Sequence, residues 1–526
     1  MKSTFIKRFK KLIIFFPILI YLGKRSYLAY DEGFYALQAR WIIDNNNWLI
    51  PQWWDGYNLD RTIGIQYLIA KSQTIFGMNS FAAHIPTTIG AFVMIFLTHK
   101  LHEELVGKRG AIFSSIILST TFIWFDFAHQ ATQDLIFACL VTGGLYSLIK
   151  IESNRNILFH LTFGLWIGLA FILKTFLVIV PLIALSPYIL KKRNVIVNNY
   201  FVLGLFIGFL PFIIWYLAIN QFLEKNIIFY LVSKFNNLSN QNTFSNPFYY
   251  YLWNIPLNFL PWSIFSLIGL IVNFKINKQN NFILCYFPII LLFLISTFST
   301  KTPYYPLQIA SIFSINAFIG IQYIINSNRF KPTFIFLISK VIPLLFLSFI
   351  FSYYFRIKDL IALSFHEELM IMSGLFLFAS SLILISKVND PKRILILLVL
   401  GPYLFSSLLI QSGLFTDRSK ELRQSMERLI ALEDLKNQVI YVKKSDIVDT
   451  ASQSKIIRIA LLTPNLGKGI NKLNEVEPLR YIWTTKSTFQ DVDRKSFELI
   501  YEDNYLNPWI LVKKIKKKID PSDKIN

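Results

Sequence analysis

Long apolar segments alternate with short polar loops along most of the chain. A helix needs about 20 mostly apolar residues to cross the hydrocarbon core of a bilayer, and about thirteen segments of this kind are recognisable before residue 412. Their centres lie near residues 17, 90, 118, 142, 166, 182, 209, 266, 290, 315, 344, 379 and 402. This pattern predicts a polytopic α-helical membrane protein with about 13 transmembrane helices.

The charges of the loops predict how these helices are oriented. Lys and Arg accumulate in alternate loops, as the positive-inside rule requires of cytoplasmic loops. The basic loops lie at residues 100–109, 150–155, 191–193, 275–278, 329–331 and 387–393. In the connections near 126–133 and 299–305, by contrast, the only Lys or Arg residue is Lys301. We therefore expect a cytoplasmic N-terminus.

Three long segments then fall on the outer side of the membrane. The first, at about 23–80, contains amphipathic stretches around 32–43 and 62–76 that suit the membrane interface, and its tryptophans fit an interfacial aromatic belt: Trp41, Trp48, Trp53 and Trp54. The second covers about 220–256. The third begins at about residue 412 and is polar and charged. We therefore divide the chain into a transmembrane domain, 1–411, and a soluble extracytoplasmic domain, 412–526.

The tail has the pattern of a small α/β domain. Residues 422–435 form an amphipathic helical pattern. Strand-like runs rich in β-branched and aromatic residues cover 438–442, 456–462, 479–484, 497–501 and 509–512. The complete fold prediction is a helical membrane protein with a C-terminal α/β domain on its outer face.

Composition supports the membrane assignment and limits other functions. The chain is 54% hydrophobic and 16% charged, whereas soluble domains contain about 25% charged residues. The net charge of +22 follows from the basic loops. No basic, aromatic-interleaved module predicts binding to nucleic acid. Cys139 and Cys285 lie inside apolar segments and are too few for a disulfide framework or a cysteine zinc site.

Seven of the ionisable residues that fall on the outer side under this orientation are candidates for a functional site. Charged groups at a membrane boundary are costly to keep unless water or a reaction uses them. We therefore predict that they converge on one water-filled pocket that opens outward. The seven are Asp31, Glu32, Asp60, Arg61, Asp134, Lys174 and Lys301.

The acidic candidates also have structural interpretations. Asp31 either caps the first amphipathic helix or, with Tyr35 one turn away on the same face, serves as general base for an acceptor hydroxyl. Asp134 either caps the helix that it opens, orients the acceptor or binds a metal. Asp60 and Arg61 form either a surface ion pair of little energetic value or a phosphate site in which the planar guanidinium of Arg61 binds the phosphate.

The basic candidates leave similar alternatives open. Lys301 stands before Tyr304 and Tyr305 in a proline-flanked turn, which suits the phosphate of a lipid carrier or, alternatively, an interfacial Lys/Tyr anchor. Lys174 interrupts an apolar stretch of about thirty residues, so it is a functional candidate by default or marks a tight outer turn. His129 is a candidate metal ligand, although a lone loop histidine is usually not one.

Taken in order, these segments resemble the type C glycosyltransferases, in particular the bacterial branch of aminoarabinose transferases and protein O-mannosyltransferase-like enzymes. The resemblance covers most of residues 1–410. It is carried by Asp31-Glu32-x-x-Tyr35-Ala36, Asn58-Leu59-Asp60-Arg61-Thr62, Gly77-x-x-x-Phe81-Ala82-Ala83-x-x-Pro86, Asp134, Lys174-Thr175 and Ser299-x-Lys301-x-x-Tyr304-Tyr305-x-Leu307.

The chain departs from the family pattern at three places. Arg61 stands where the family has Lys, and Thr62 where it has Pro. The loop near Lys234 lacks the arginine expected for a second phosphate contact, for which Lys225 or Lys234 is the available substitute. These differences bear on the identity of the donor more than on the type of reaction.

The resemblance implies sugar transfer from a polyprenyl-phosphate donor to a hydroxyl of an envelope lipid, glycan or protein, with inversion, at the outer face of the bacterial inner membrane. It implies catalytic roles for Asp31, Asp134 and Asp60. The residues implied to bind substrate are Glu32, Tyr35, Arg61, Lys174, Lys301, Tyr304 and Tyr305. No cofactor is identified with certainty. Whether the reaction requires a divalent cation stays open. Its ligands would be Asp31, Glu32, Asp60 and His129 if these residues converge.

Two rival functions share some of these features. A transporter or flippase of a lipid-linked or anionic substrate would also have many helices and a polar cavity, although its polar groups usually lie near mid-membrane. A polysaccharide polymerase or ligase on an unrelated fold would share the substrate class and the side of the membrane.

Overall fold

A computed structural model describes residues 13–54, 56–59, 61–154, 156–233, 245–276, 281–358, 363–432, 435–491 and 496–516. The chain divides into two compact units. The first, here called the helical unit, consists of Met1–Gly23, Leu59–Ile65 and His84–Thr416. The second, here called the α/β unit, consists of Lys24–Asn58, Gln66–Ala83 and Asp417–Asn526.

Helices account for most of the described residues. Numbered along the chain, they are α1 Phe16–Leu19, α2 Glu32–Asp44, α3 Gly64–Phe76, α4 Ser80–Leu105, α5 Ala111–Ser119, α6 Phe122–Ala128, α7 Gln133–Asn154, α8 Ile157–Lys174, α9 Ile179–Lys191, α10 Arg193–Ile196, α11 Asn199–Leu223, α12 Tyr250–Asn258, α13 Ser263–Ile276, α14 Phe287–Thr297, α15 Ala310–Asn326, α16 Lys331–Phe336, α17 Ile342–Ser352, α18 Phe365–Ile385, α19 Pro391–Gln411, α20 Lys420–Leu432, α21 Thr450–Leu462 and α22 Lys486–Gln490. Helices α2 and α3 lie where the two amphipathic stretches of the first loop predict them.

The helical unit contains the candidate membrane spans. Eight described helices are long and apolar enough to cross a bilayer, and the number rises to ten if the bent pairs α5–α6 (68°) and α12–α13 (110°) each form one span. The predicted count of thirteen is not confirmed. One reason is that the segments centred near 166 and 182 belong to a single 35-residue candidate, Ile157–Lys191, because a short 3-10 turn joins α8 to α9.

Glycines allow α8 and α11 to approach closely. Gly164 and Gly168 on α8 face Gly204 and Gly208 on α11, and a Cβ atom added to Gly168 would lie 2.2 Å from the backbone carbon of Gly208. Small residues four positions apart are the usual means of bringing membrane helices into backbone contact. This packing holds α8 in place, and its last residue is Lys174.

A mixed five-stranded sheet forms the centre of the α/β unit. The strands of the unit are β1 Gln52–Trp53, β2 Gly56–Tyr57, β3 Val439–Lys443, β4 Asn465–Ile470, β5 Tyr481–Thr485, β6 Phe497–Tyr501 and β7 Trp509–Lys514. The strand order of the five-stranded sheet is β4-β3-β5-β7-β6, in which β3 runs parallel to β4 and β5, while β7 runs antiparallel to β5 and β6. A separate hairpin pairs β1 with β2.

One strand prediction in this unit is wrong. Residues 456–462 are the end of helix α21, whose first turn is fixed by a capping box between Asp449 and Ser452. Ile456, Ile457 and Ala460 are fully buried, and this i, i+1, i+4 spacing is a helical face. The strand that the sequence prediction missed, β4, follows directly after α21.

The aromatic-belt interpretation of the first loop is also wrong in part. Trp41 and Trp54 are buried in the same hydrophobic core as Leu422, Ile440 and Trp483 of the C-terminal segment. Trp53 packs at the edge of that core. These indoles therefore stabilise the α/β unit, because burying large aromatic surface is a principal source of folding free energy.

Arg40 joins α2 to the end of α21. Its guanidinium is buried and donates hydrogen bonds to the carbonyl oxygens of Ala460 (3.0 Å), Thr463 (2.6 Å) and Pro464 (2.7 Å), while its Nε donates to Asp44 (3.2 Å). Carbonyl groups at the end of a helix have no partner inside the helix. A cation at this position also opposes the negative end of the helix dipole.

Replacing Arg40 with Met should therefore destabilise the α/β unit by about 2–4 kcal/mol, since several buried carbonyl groups lose their donor at once. Hydrogen exchange of the backbone amides in α21 would measure the loss. Arg428→Met is the matched control. The Arg428 side chain is 61% exposed and pairs with Asp503, and exposed pairs contribute at most about 1 kcal/mol. Equal effects of the two substitutions would contradict the role given to Arg40.

A candidate active site in the helical unit

Asp134 and Lys174 form a buried ion pair. Asp134 lies in the first turn of α7, where a negative charge is favoured by the helix dipole, and Lys174 is the last residue of α8. The distance from Lys174 Nζ to Asp134 Oδ1 is 2.5 Å, and the two side chains are 8% and 6% exposed. Two residues that the sequence singled out separately therefore act as one unit, with their charges neutralised by each other.

A small cleft surrounds this pair. Apart from Asp134 and Lys174, its polar lining consists of Tyr304, Tyr305 and Gln308, and its apolar lining of Phe137, Leu177, Val180, Ile295 and Phe298. Lys174 Nζ lies 5.2 Å from the centroid of the Tyr304 ring, a distance at which an ammonium group is attracted by the aromatic face. The cleft thus combines an ion pair, two phenols and an amide beside apolar helices.

Lys301 does not line this cleft. Its Nζ donates hydrogen bonds to the carbonyl oxygens of Asn246 (2.7 Å) and Phe298 (2.5 Å), which occupy two of its three donor positions. The residue is 5% exposed, and burial lowers its pKa from the usual value. This geometry argues against an exposed interfacial anchor and leaves one N–H for a substrate.

The loop around Lys301 is held by residues of the segment 220–256, which the sequence predicts to lie on the outer side. Asn246 Nδ2 donates to the carbonyl oxygen of Lys301 (3.1 Å), and the Tyr251 hydroxyl donates to that of Thr302 (3.0 Å). A single antiparallel bridge joins Ser245 to Thr300. These contacts fix the backbone that leads from Lys301 into the two tyrosines of the cleft.

In the α/β unit, Asp31 occupies a strained turn before α2. Its φ of 55° and ψ of −75°, with a hydrogen bond from Glu32 N to Tyr30 O of 2.7 Å, define a γ-turn of the rare kind. The Asp31 side chain makes no capping hydrogen bond, so the capping interpretation is not supported. Strain of this kind is commonly kept at functional sites.

Glu32 and Tyr35 are buried beside this turn, at 2% and 1% exposure. The Glu32 carboxylate accepts a hydrogen bond from the Leu28 backbone N–H (2.8 Å), which stabilises the entry to α2. Asp60 lies outside the described residues, as does Lys234. Arg61 belongs to the helical unit and is half-buried. The predicted convergence of all seven ionisable residues stays a prediction.

A metal site is not evident in the described ranges. No group of three or more His, Cys, Asp or Glu side chains is arranged there to hold an ion. His129, a candidate ligand, directs Nδ1 to the carbonyl oxygen of Phe125 (2.5 Å) and Nε2 to that of Pro17 (3.1 Å). Both ring nitrogens are thus directed at backbone acceptors.

Sequence reasoning missed three residues that the structure places here. Gln308 is a polar residue inside an apolar span, and this signal alone was sufficient to identify it as a candidate functional residue. Asn246 and Tyr251 lie in a polar loop without a local pattern, so only the fold connects them to Lys301.

Comparison with known proteins tests the family resemblance. Residues 60–216 match the family model described as dolichyl-phosphate-mannose-protein mannosyltransferase. The chain is 28% identical over 312 residues to undecaprenyl phosphate-alpha-4-amino-4-deoxy-L-arabinose arabinosyl transferase 2 of Proteus mirabilis. The aligned region covers 56% of each of the two chains. It is 26% identical over 297 residues to the corresponding arabinosyl transferase of Photorhabdus laumondii, and this aligned region covers 53% of each chain. The match spans about half the length of these relatives.

Solved structures match nearly the whole chain. The crystal structure of ArnT from Cupriavidus metallidurans bound to undecaprenyl phosphate has a TM-score of 0.76 at 14% identity and covers 98% of each chain. The chain has the fold of an aminoarabinose transferase. The apo structure of the same ArnT gives a TM-score of 0.74 at 12% identity and covers 97%. The predicted resemblance to type C glycosyltransferases is therefore confirmed. The small C-terminal sheet that the strand pattern predicts is also present.

Proposed function

We propose that the chain is an integral-membrane glycosyltransferase that moves a sugar from a polyprenyl-phosphate donor to a hydroxyl of an envelope lipid, glycan or protein. The observation that carries the proposal is the buried Asp134–Lys174 pair beside Tyr304 and Tyr305. The relatives of the chain are named undecaprenyl phosphate-alpha-4-amino-4-deoxy-L-arabinose arabinosyl transferases. The ArnT structure similar to it is described as bound to undecaprenyl phosphate.

In the proposed reaction, an acceptor oxygen attacks the anomeric carbon of the donor sugar. The bond from that carbon to the phosphate oxygen breaks with inversion, and the polyprenyl phosphate leaves with the bonding electrons. Asp31 accepts the proton of the acceptor hydroxyl. Lys301, Arg61 and Tyr304 offset the negative charge on the leaving phosphate, which is often the largest catalytic contribution.

The direct test is transfer by the purified, reconstituted protein. Donors would be undecaprenyl-phosphate-linked pentoses and hexoses, acceptors would be envelope glycolipids and glycoproteins, and mass spectrometry would detect the new glycoside. Comparison of the envelopes of parent and deletion strains would identify the natural acceptor. Addition of EDTA would test a divalent cation. Movement of the donor across the membrane without a new glycoside would overturn the proposal in favour of a transporter.

We also propose that the protein lies in the bacterial inner membrane with its N-terminus in the cytoplasm and its α/β unit outside, on the basis of the basic loops. In a variant without native cysteines, a membrane-impermeant maleimide should label Lys468→Cys and should not label Ser153→Cys in intact spheroplasts. Both side chains are exposed, so lysis should make both reactive. The reverse labelling pattern would refute this orientation.

A further inference from the structure

Gln308 is the one polar lining residue of the cleft to which the sequence prediction gives no role. It lies on a short 3-10 helix, Tyr305–Ile309, directly after the two tyrosines. Its side chain is buried, with 8% exposure. An amide at such a position, at the start of an apolar helix, is costly to desolvate and requires a compensating contact.

The orientation of the Gln308 amide follows from the one side-chain hydrogen bond that it makes among the described residues. Nε2 donates to the carbonyl oxygen of Tyr305 at 3.2 Å. A carbonyl oxygen only accepts hydrogen bonds, so the nitrogen of the amide must face Tyr305 and the oxygen must face away from it. Within the part of the chain that the structure describes, Oε1 has no hydrogen-bond partner although it is buried.

The charges of the cleft indicate what such an oxygen binds. Lys174 neutralises Asp134, so the ion pair adds no net charge to the cleft. Gln308 Oε1 is an acceptor, and a phosphate oxygen, which is also an acceptor, would be repelled by it. A hydroxyl or amino group of a sugar ring is a donor and would satisfy it. Since buried polar atoms in proteins nearly always have partners, Gln308 Oε1 requires a donor group.

We propose that Gln308 accepts a hydrogen bond from a ring hydroxyl or amino group of the transferred sugar and thereby contributes to donor selection. This inference rests on the proposed transferase function and assigns Gln308 to the sugar, not to the lipid phosphate. The phosphate would be held by the cationic contacts at Lys301 and Arg61. The charge of Lys174 is neutralised by Asp134, so Lys174 offers no net positive charge to the phosphate.

The test compares Gln308→Met with the parent protein on matched donors. Met fills a similar volume and has no comparable acceptor. The donors are undecaprenyl-phosphate sugars in which single ring hydroxyl or amino groups are replaced by hydrogen. The parent protein should lose about 10- to 100-fold in kcat/KM on the analogue that lacks the recognised group. Gln308→Met should be slower on the complete sugar by a similar factor and should no longer distinguish it from that analogue.

Two further measurements separate the possible failures. Binding of undecaprenyl phosphate alone should be the same in both proteins, and its loss in Gln308→Met would assign the residue to the phosphate and overturn the inference. Unchanged donor selectivity in Gln308→Met would also overturn it. Absence of transfer by the parent protein would instead refute the proposed function. Gln322→Met, an exposed glutamine on α15, is the matched control and should behave as the parent.

Discussion

The Asp31→Asn variant is expected to fold and insert normally and to transfer sugar about 10²- to 10⁴-fold more slowly than the parent protein, which is the usual contribution of a general base. Asparagine is nearly isosteric and is among the residues that tolerate a positive φ, so the turn at φ 55° should persist. The amide cannot accept the proton of the acceptor hydroxyl. Initial rates in the reconstituted transfer assay would measure the loss.

The control for this substitution is Asp491→Asn, because Asp491 is an exposed carboxylate of the same unit. Its rate should equal that of the parent. Thermal unfolding of both variants should match the parent within about 0.5 kcal/mol, as for ordinary surface substitutions. A fully active Asp31→Asn protein would remove Asp31 from the reaction. An unfolded one would mean that the carboxylate maintains the strained turn.

Lys174→Met is expected to destabilise the helical unit by about 3–5 kcal/mol, the usual cost of leaving one buried charge without its partner. The double variant Asp134→Asn/Lys174→Met should recover much of this loss, because no unpaired charge then remains in the cleft. Unfolding in SDS at pH 7 would give the free energies. The difference between the double variant and the sum of the single variants measures the coupling of the two residues.

Lys192→Met provides the comparison for this pair. Lys192 and Glu152 also form an ion pair, with Nζ and Oε1 2.7 Å apart, but their side chains are 37% and 44% exposed. Its removal should cost at most about 1 kcal/mol, since solvent screens exposed charges. If Lys174→Met and Lys192→Met had equal effects, the cleft would be wet enough to screen Asp134, and the pair would contribute little to the site.

Local pattern was sufficient to predict many individual elements. The amphipathic stretches of the first loop are helices α2 and α3, and four of the five predicted strands of the tail are strands β3, β5, β6 and β7. Each of these signals is contained in a few consecutive residues. The run at 456–462 was assigned wrongly because short apolar runs rich in isoleucine suit both a buried strand and a buried helix. The capping box that decides it begins seven residues earlier, at Asp449.

The candidate site could be predicted as a set of residues but not as an arrangement. Asp134 and Lys174 were both marked as unusual polar residues near the membrane boundary, yet they are 40 positions apart, and nothing in the local pattern says that α7 and α8 bring them together. Lys301 was expected to present its ammonium group to a phosphate. Only the fold shows that two of its donors go to the backbone at Asn246 and Phe298, which leaves one donor for such a contact.

By itself, the sequence determined that the chain crosses the membrane many times, which residues are too polar for their surroundings, and which enzyme family the chain resembles, because hydropathy, charge and motif order are properties of consecutive residues. Only the tertiary structure decided that Trp41 and Trp54 belong to a protein core and that Asp134 is neutralised by Lys174. It also decided that Gln308 lines the cleft with an oxygen that has no hydrogen-bond partner among the described residues. These outcomes depend on contacts between distant segments, and such contacts are set by helix packing and burial.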